Sequence, residues 1–381
     1  MALPASRDNS GALNTLYTAA FESVAPGVQD IVFKETTLLN VAQVMGLYKV
    51  KNYSHHHIVP VLDKDDAEVK SFTGLETLPT SSTMGARSAY YNFANYATNI
   101  TVSWEEQQQI RDPHQIVDLL ETRSFKAYRA LGERLDRDMF WGNSSNSKNI
   151  LGLEQAIAPY NQEHFIVTNS SLVKPRWQFR QAANVFAGID RDPFTADGIG
   201  GTGWENLSYS FKNNILGNPW TTATPFGVSS NVPNDCLKGL AHFYQMLSWG
   251  TTMPDLIISS VKPYEDYQNC AASYLQYLRN GTDATGMNLG WTTTRYKGAD
   301  WIYSDRCVAS GTVGDATAGT DMIYLLNTDY MELGVCEGAD FEQTEFKTPV
   351  DQAGAVAQIL WRGQMIFTNP RYSGVIFNYN T

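Results

Sequence analysis

The sequence has few cysteines, and they are not arranged to build a site. Four of them are spread over the 381 residues with no CxxC pair, namely Cys236, Cys270, Cys307 and Cys336. Structural zinc sites and disulfide frameworks need cysteines at defined spacings. We therefore predict neither a metal site nor a disulfide framework, and expect free thiols that are mostly buried.

Long apolar runs are absent as well. No segment reaches the roughly 18 apolar residues of a membrane span. The opening residues MALPASRDNSG contain no basic stretch followed by an apolar one. The sequence thus predicts no membrane partner, and folding in a reducing cytoplasm.

Motifs for catalysis and cofactor binding are also missing. The chain has no GxSxG, HExxH, Walker, kinase or EF-hand pattern. Gly198, Gly200 and Gly203 match GxGxxG, but no apolar strand precedes them, so a flexible loop is favoured over a dinucleotide site. The run His55 to His57 is interpreted as a solvated strand face, because no further Cys or His lies nearby in sequence. No catalytic residue, metal ligand or cofactor is predicted.

Positive charge is in deficit. Lys and Arg number 28 against 39 Asp and Glu, a formal net charge of −11. This balance disfavours a protein that grips nucleic acid by neutralising phosphates. Twenty Tyr, seventeen Phe and nine Trp are a heavy aromatic load, which fits either large cores or extensive subunit contacts.

The most regular stretch is a predicted helix over residues 113–141. Asp112 can cap its first turn, Pro113 suits the first helical position, and Gln115 sits where a capping-box partner reaches back. At about 1.5 Å per residue such a helix is about 43 Å long. Apolar residues recur at the spacing of one buried stripe: Ile116, Leu120, Ala127, Leu131, Leu135 and Met139, widened by Val117 and Tyr128.

The opposite face of this helix is predicted to be charged, with Glu133 and Arg137 at the favourable i,i+4 spacing. Asp136 and Asp138 resemble a carboxylate pair, but residues i and i+2 point apart on a helix and cannot converge on one substrate. Gly132 in the helix interior costs about 0.5–1 kcal/mol relative to Ala. Either close packing or a hinge explains it, and the sequence leaves both open.

Ahead of this helix, residues 11–24 have helical spacing and form a predicted N-terminal arm. Two strands follow, over residues 48–62 and 90–104, joined by a polar, turn-rich segment that cannot build its own core. The simplest interpretation is a long, protruding β-hairpin. The first strand is expected to present one face containing Tyr53, His55, His57, Val59 and Val61.

After the helix, a further helix is predicted over residues 175–186, with a boundary near Asp192. Alternating helices and strands then predict a compact α/β domain. Its elements are helices over residues 234–249 and 263–279 and strands over 255–259, 299–304 and 322–327. Two last strands, over residues 355–367 and 374–378, are expected to return to the sheet beside the long helix.

This order of elements resembles the major capsid protein fold of tailed bacteriophages, the Hong Kong 97 type. LDRDMFWG followed by ILGL is similar to the exit from that family's spine helix. PDLIISSVKPYEDY, YKGADWIYSD and MIYLLNTDYMELGV resemble its axial-domain series, and RGQMIFTNPRYSGVI its last peripheral strands. The likeness covers nearly the whole chain, and its specificity lies in the order of these motifs.

The resemblance implies an α+β fold with an N-terminal arm, an extended β-hairpin loop, a long spine helix in a peripheral domain and an α/β axial domain. The expected segments are the arm at residues 1–46, the hairpin at 47–104 and the peripheral domain with spine helix 113–141 at 105–194. The axial domain is expected at 195–335, and a C-terminal return to the peripheral domain at 336–381.

The function implied is that of a non-enzymatic shell subunit. Its partners would be copies of itself in hexamers and pentamers, a separate scaffolding protein, a portal protein, decoration proteins and packaged double-stranded DNA held by non-specific contact. The protein would be assembled in the host bacterial cytoplasm and reside in the virion capsid, without N-terminal processing.

Two sets of residues are singled out for assembly. Gly132 is the hinge candidate of the spine helix. The family's namesake crosslinks a hairpin Lys to an Asn, but no catalytic Glu can be matched here, so crosslinking is not predicted. Contacts between subunits are expected at the hairpin tip, through Lys64, Asp65, Asp66, Glu68 and Lys70.

Two alternatives remain open at this point. The same fold builds bacterial encapsulin compartments, which enclose cargo enzymes, and neighbouring genes would separate the two. An enzyme on the α/β domain is the alternative from another class, and the lack of a catalytic constellation weighs against it.

Overall fold

A computed structural model describes most of the chain. The described residues are 36–53, 56–62, 71–74, 76, 86–109, 113–142, 148–159, 185–190, 204, 206–210, 235–274, 294–311, 318–349 and 353–379. The predicted N-terminal helix, the glycine motif near residue 200 and most of the predicted helix over 175–186 lie outside these ranges.

Six helices are described: α1 (Thr37–Val44), α2 (Trp104–Gln109), α3 (Pro113–Trp141), α4 (Leu153–Ala156), α5 (Asp235–Leu247) and α6 (Val261–Tyr274). The strands of the first half are β1 (Tyr48–Lys51), β2 (His56–Leu62), β3 (Ala86–Asn92), β4 (Ala94–Ser103), β5 (Val185–Phe186), β6 (Ile189–Asp190) and β7 (Leu207–Ser210). Those of the second half are β8 (Leu256–Ser259), β9 (Thr294–Tyr296), β10 (Ala299–Tyr303), β11 (Asp321–Leu326), β12 (Met331–Cys336), β13 (Glu342–Gln343), β14 (Gly354–Phe367) and β15 (Gly374–Tyr379).

Helix α3 has the predicted bounds, which confirms the long helix. The described part of its predicted apolar stripe is buried, including Leu120 and Leu135 at 0% exposure. It packs on β4, β14 and α1. The ion pairs differ from the prediction, because Glu133 pairs with Arg129 and Arg137 lies 3.7 Å from Asp138.

The sheet beside α3 has five strands. β14 is its centre, with β4 antiparallel along one edge and β12 and β13 along the other, while β1 extends the sheet by parallel pairing with β12. The predicted strand over residues 90–104 is wrong in its bounds. It is two strands, β3 and β4, and Trp104 begins α2, because Ser103 and Glu106 form a reciprocal capping box.

The predicted hairpin is present as β2 and β3, paired antiparallel from His56 opposite Asn92 to Leu62 opposite Ala86. The single strand predicted over residues 48–62 is wrong, because its first part is β1 in the five-stranded sheet. The alternation itself is confirmed where it is described, since Val59 and Val61 are both buried.

A six-stranded sheet forms the second framework, in the order β7-β15-β11-β8-β10-β9. Because side chains alternate along a strand, it has two buried faces. Ile257, Ile323 and Leu325 pack with α5, whereas Leu256, Ile258 and Tyr324 join the core that also contains the α3 stripe. One continuous core therefore links both sheets to the spine helix.

The last strand does not follow the prediction. β15 pairs with β11 and β7 in the six-stranded sheet, so only β14 of the two C-terminal strands returns to the sheet beside α3. The end of the predicted helix over residues 175–186 is also wrong, since Val185 and Phe186 form β5 and pair with β6. The five predicted segment boundaries stay a prediction.

Candidate assembly surface

The hairpin β2–β3 has one buried and one exposed face. Val59, Val61, Ala89 and Tyr91 point into the core. On the outer face, Ile58 is 45% exposed and Tyr90 51% exposed, and the two residues lie directly opposite each other across the strands. An exposed apolar pair of this kind is a candidate contact surface.

The base of the hairpin is fixed to β14 by two buried side chains. The Tyr91 hydroxyl donates to the Phe367 carbonyl at 2.8 Å and accepts from the Phe367 N–H at 3.3 Å. The Gln364 amide donates to the Asn92 carbonyl at 2.7 Å and accepts from the Leu151 N–H at 2.9 Å. Because both residues use donor and acceptor together, the end of β3 is held in one position against β14.

The residues predicted for assembly are placed only in part. Lys64, Asp65, Asp66, Glu68 and Lys70 all fall within residues 63–70, outside the described part of the chain. Gly132 is described, buried, and part of the unbroken helix α3. His56 is exposed on its strand, and His57 packs edge-on to Tyr53 at 5.3 Å between ring centroids.

Asp138 joins the end of the spine helix to the five-stranded sheet. Its Oδ2 accepts from the Tyr96 hydroxyl at 2.8 Å and from Arg134 Nε at 2.9 Å. The same hydroxyl accepts the Ile150 N–H at 3.1 Å, so the segment after the helix is tied to the same carboxylate. A second cation, Arg137, lies 3.7 Å from Oδ1. Asp138 is therefore a buried carboxylate supplied with both hydrogen bonds and positive charge.

Asp136 points elsewhere, as the i,i+2 spacing predicts. Its Oδ1 accepts the N–H groups of Leu38 and Leu39 at 2.9 and 3.4 Å, so it caps helix α1, whose own Thr36 provides no side-chain cap. Its Oδ2 lies 3.3 Å from Arg306 Nη1. Burial raises the pKa of Asp136, and the Leu38 N–H and the Arg306 charge oppose that shift.

Residues 304–311, which follow β10, form a linking loop between the six-stranded sheet and the spine helix. Cys307 and Ala309 exchange backbone hydrogen bonds with residues 319–322, on the sheet side. Arg306 donates to the Glu133 carbonyl at 2.6 Å, the Val308 carbonyl accepts from Trp141 Nε1 at 2.9 Å, and the Ser310 N–H donates to Glu154 Oε1 at 3.0 Å. Alternate residues of the loop thus hold the two frameworks together.

A second exposed apolar group lies after α5. Trp249 is 57% exposed and Met253 51% exposed, and the guanidinium of Arg371 stacks over the Trp249 ring at 4.1 Å. This group belongs to the six-stranded framework, away from the hairpin sheet.

Among the described residues, no group of three or more His, Cys, Asp or Glu is placed to hold a metal ion. No described helix is long and apolar enough to cross a membrane. Glu106 has a structural partner, because its pKa is lowered to about 2 mainly by hydrogen bonds from Arg123.

No protein-family model matches the sequence, and no curated protein matches it. Solved structures match in fold. The chain is similar to a chain of the cyanophage A-1(L) capsid, with a TM-score of 0.55 and 12% identity over 89% of this chain and 93% of that chain. A capsid chain of the native GTA particle matches with a TM-score of 0.51 and 8% identity over 88% of this chain and 89% of that chain. A capsid chain of the empty GTA particle matches with a TM-score of 0.50 and 8% identity over the same shares of the two chains.

The chain therefore shares its fold with these phage and GTA capsid chains. The predicted α+β class and the Hong Kong 97-like fold are confirmed.

Sequence reasoning missed the buried carboxyl of Glu154 and the partners of Asp136 and Asp138. The signal available for Glu154 was its position inside the apolar run ILGLEQAIA. A charged residue in such a run is either on an exposed edge or buried with a purpose.

Proposed function

We propose that this chain is the structural major capsid protein of a tailed double-stranded DNA bacteriophage. Hexamers and pentamers of it would build an icosahedral shell around the genome. The observation that supports this most is the fold itself, shared over about nine-tenths of the chain with two kinds of capsid. In this proposal the chain has a structural role and is not an enzyme. It would bind other copies of itself, a scaffolding protein, a portal protein and decoration proteins.

The hairpin supplies the physical argument for self-association. Its outer face leaves Ile58 and Tyr90 in solvent, and its position is fixed at the base by Tyr91 and Gln364. A pre-positioned apolar pair can dock on a neighbour without a large ordering cost. The contacts of Lys64, Asp65, Asp66, Glu68 and Lys70 at the tip remain part of this proposal.

The net charge of −11 supports a particular role for DNA. A shell of acidic subunits tolerates packaged DNA without binding it tightly, so filling would depend on a motor rather than on attraction. The place of the protein would be the virion capsid after assembly in the host cytoplasm.

The test is assembly of the full chain, produced with the scaffolding protein encoded beside it. Uniform particles on a gradient, icosahedral by electron microscopy, are expected. The double substitution Ile58→Glu with Tyr90→Glu should lower the assembled fraction at least about tenfold, the effect of losing about 1.4 kcal/mol of contact energy. The control is Asn99→Glu, which adds a charge at an exposed position of β4.

A chain that stays monomeric at micromolar concentration with scaffold supplied would contradict the proposal. Equal assembly of the double variant and the control would show that the outer face of the hairpin is not a contact between subunits. The encapsulin alternative has its own outcome, because particles isolated from the native source would then enclose a protein cargo instead of nuclease-protected DNA.

A further inference from the structure

Helix α4 carries a carboxyl group that the assembly surface does not use. Glu154 is completely buried, and so are the other three residues of this one-turn helix. Its Oε1 accepts the Ser310 N–H at 3.0 Å, whereas its Oε2 has no hydrogen-bond partner within the described structure. Ser310 supplies hydrogen bonds to Glu154 from both its N–H and its side chain, but an ionised carboxylate in this position would still leave Oε2 without the donors that its charge requires.

Within the described ranges, no positive charge contributes to the pKa of Glu154. Cys307 belongs to the linking loop, and Tyr324 and Asp321 belong to β11. Glu154 and Asp321 raise the pKa of the Cys307 thiol, and Glu154 and Cys307 raise that of the Tyr324 hydroxyl, in both cases after burial as the main cause. A negative charge on Glu154 therefore disfavours ionisation of both the Cys307 thiol and the Tyr324 hydroxyl.

The position of Glu154 allows its charge state to affect the contact between the linking loop and α4. Arg306 and Val308 of the linking loop contact the spine helix directly, whereas Ser310 contacts α4. Helix α4 is in turn tied to the end of the spine helix, because the Gln155 side chain donates to the Gly142 carbonyl. The Arg306 contact includes Asp136, an acid that is paired with the Arg306 guanidinium. The contact between Trp141 and the Val308 carbonyl contains no acid. The contact between Ser310 and Glu154 is the one of the three that a proton can alter directly.

We propose that Glu154 is a proton-binding site that controls how firmly the six-stranded sheet is held to the spine helix. The neutral acid fits the buried position and keeps the Ser310 contact. The carboxylate form is poorly solvated there, and its formation favours opening of the linking loop. If the chain forms a shell, as the proposed function holds, the same proton would control how far the six-stranded sheet of each subunit can move relative to its spine helix.

The direction of the effect follows from linkage. Burial, only partly offset by Ser310, raises the pKa of Glu154 from 4.5 to about 7. Between these values the folded chain holds a proton that the unfolded chain has lost, so stability falls as pH rises through this window and levels off above about 7. The tight state is the one at lower pH.

The first measurement needs no variant. Infrared titration of the full-length chain between about pH 5 and pH 9 should show the carbonyl band of a buried protonated carboxyl that disappears with a midpoint near pH 7. Glu154→Gln should lack this band. Glu337→Gln, at an exposed turn, should retain it.

The second measurement reports the contact itself. Exchange of the Ser310 amide, corrected for its intrinsic pH dependence, should lose roughly tenfold protection from one pH unit below the midpoint to one unit above. Glu154→Gln should remove this change, because glutamine keeps the acceptor oxygen and cannot ionise.

Titration of all carboxyl groups near their ordinary values, or equal pH dependence of Ser310 exchange in the wild type and Glu154→Gln, would overturn the proposal. Both measurements apply to the chain whether or not it assembles. Failure of the proton site and failure of the proposed shell function are therefore distinguishable.

Discussion

The spine helix is joined to the two sheets of the molecule in different ways. On the side of the five-stranded sheet, Asp138 receives a hydroxyl hydrogen bond from Tyr96 and faces Arg134 and Arg137. On the side of the six-stranded sheet, Glu154 of α4, the short helix that follows the spine helix, receives hydrogen bonds from Ser310 and faces Cys307 and Tyr324. Both carboxyls are buried within one continuous core.

This difference shows that burial alone does not make a junction permanent. A buried carboxylate with cations and hydrogen bonds holds its elements over a wide pH range, whereas one without them is stable mainly as the neutral acid. The two frameworks are therefore predicted to respond unequally to conditions, with the five-stranded side fixed and the six-stranded side adjustable.

The largest expected effect concerns the close approach between the end of the spine helix, which carries Asp138, and the start of α4, which carries Glu154. Gly152 begins α4 with an ordinary φ of −80°, but a Cβ there would lie 2.6 Å from Gly142 N and 2.8 Å from the Asp138 carbonyl oxygen. Because both contacts are backbone, Gly152→Ala should cost more than about 3 kcal/mol of unfolding free energy. Chemical denaturation of the full chain measures it.

Gly338→Ala is the control for this variant. Gly338 has φ +77° and nothing within 4 Å of an added Cβ, so only backbone strain, about 1 kcal/mol, is expected. If Gly152→Ala costs no more than this control, the close approach of the two glycines does not determine the turn.

A smaller effect separates the two aspartates of the spine helix. Asp138→Asn removes the charge that faces Arg134 and Arg137 and weakens the Tyr96 hydrogen bond, with an expected loss of about 2 kcal/mol. Asp136→Asn should cost under about 1 kcal/mol at neutral pH, because the amide oxygen can still cap α1 and the cost of burying a charge disappears. Urea denaturation of both variants at neutral pH tests the order.

Reversal of that order would show that Arg306, rather than the cap of α1, gives Asp136 its role. The matched comparison is Arg306→Gln, which keeps a donor near the Glu133 carbonyl and removes the charge. A loss in Arg306→Gln equal to that in Asp136→Asn would place the whole effect in the ion pair.

The sequence predicted the elements whose causes are local. The spine helix follows from its apolar period and from Pro113 at its start, and the strands of the six-stranded sheet follow from short apolar runs between turns. The capping box of Ser103 and Glu106 was an unused local signal that would have ended the preceding strand correctly.

What the sequence could not predict depends on pairing between distant residues. β15 reads as a partner of β14 because a turn joins them, yet it pairs with β11. The separate roles of Asp136 and Asp138 follow from helix geometry, but Arg306 lies 170 residues from Asp136. Nothing in the run around Glu154 indicates which loop would cover it.

The smallest effect concerns Gly132 and whether the spine helix itself is one of the fixed parts. Gly132 is buried within an unbroken helix, so Gly132→Ala tests two explanations with opposite signs. If the glycine is a hinge that bends in the immature shell, Ala should stiffen the helix, raise stability by about 0.5–1 kcal/mol and slow the formation of closed immature particles. If it is there for close packing, Ala should lower the melting temperature of expanded particles and leave the ratio of immature to expanded particles unchanged.

Ala130→Gly, two residues away on the exposed face, is the matched control: it should lower stability by a similar amount through helix propensity alone. A particle ratio that shifts in opposite directions in the two variants would support the hinge, and a ratio that neither variant moves would remove it.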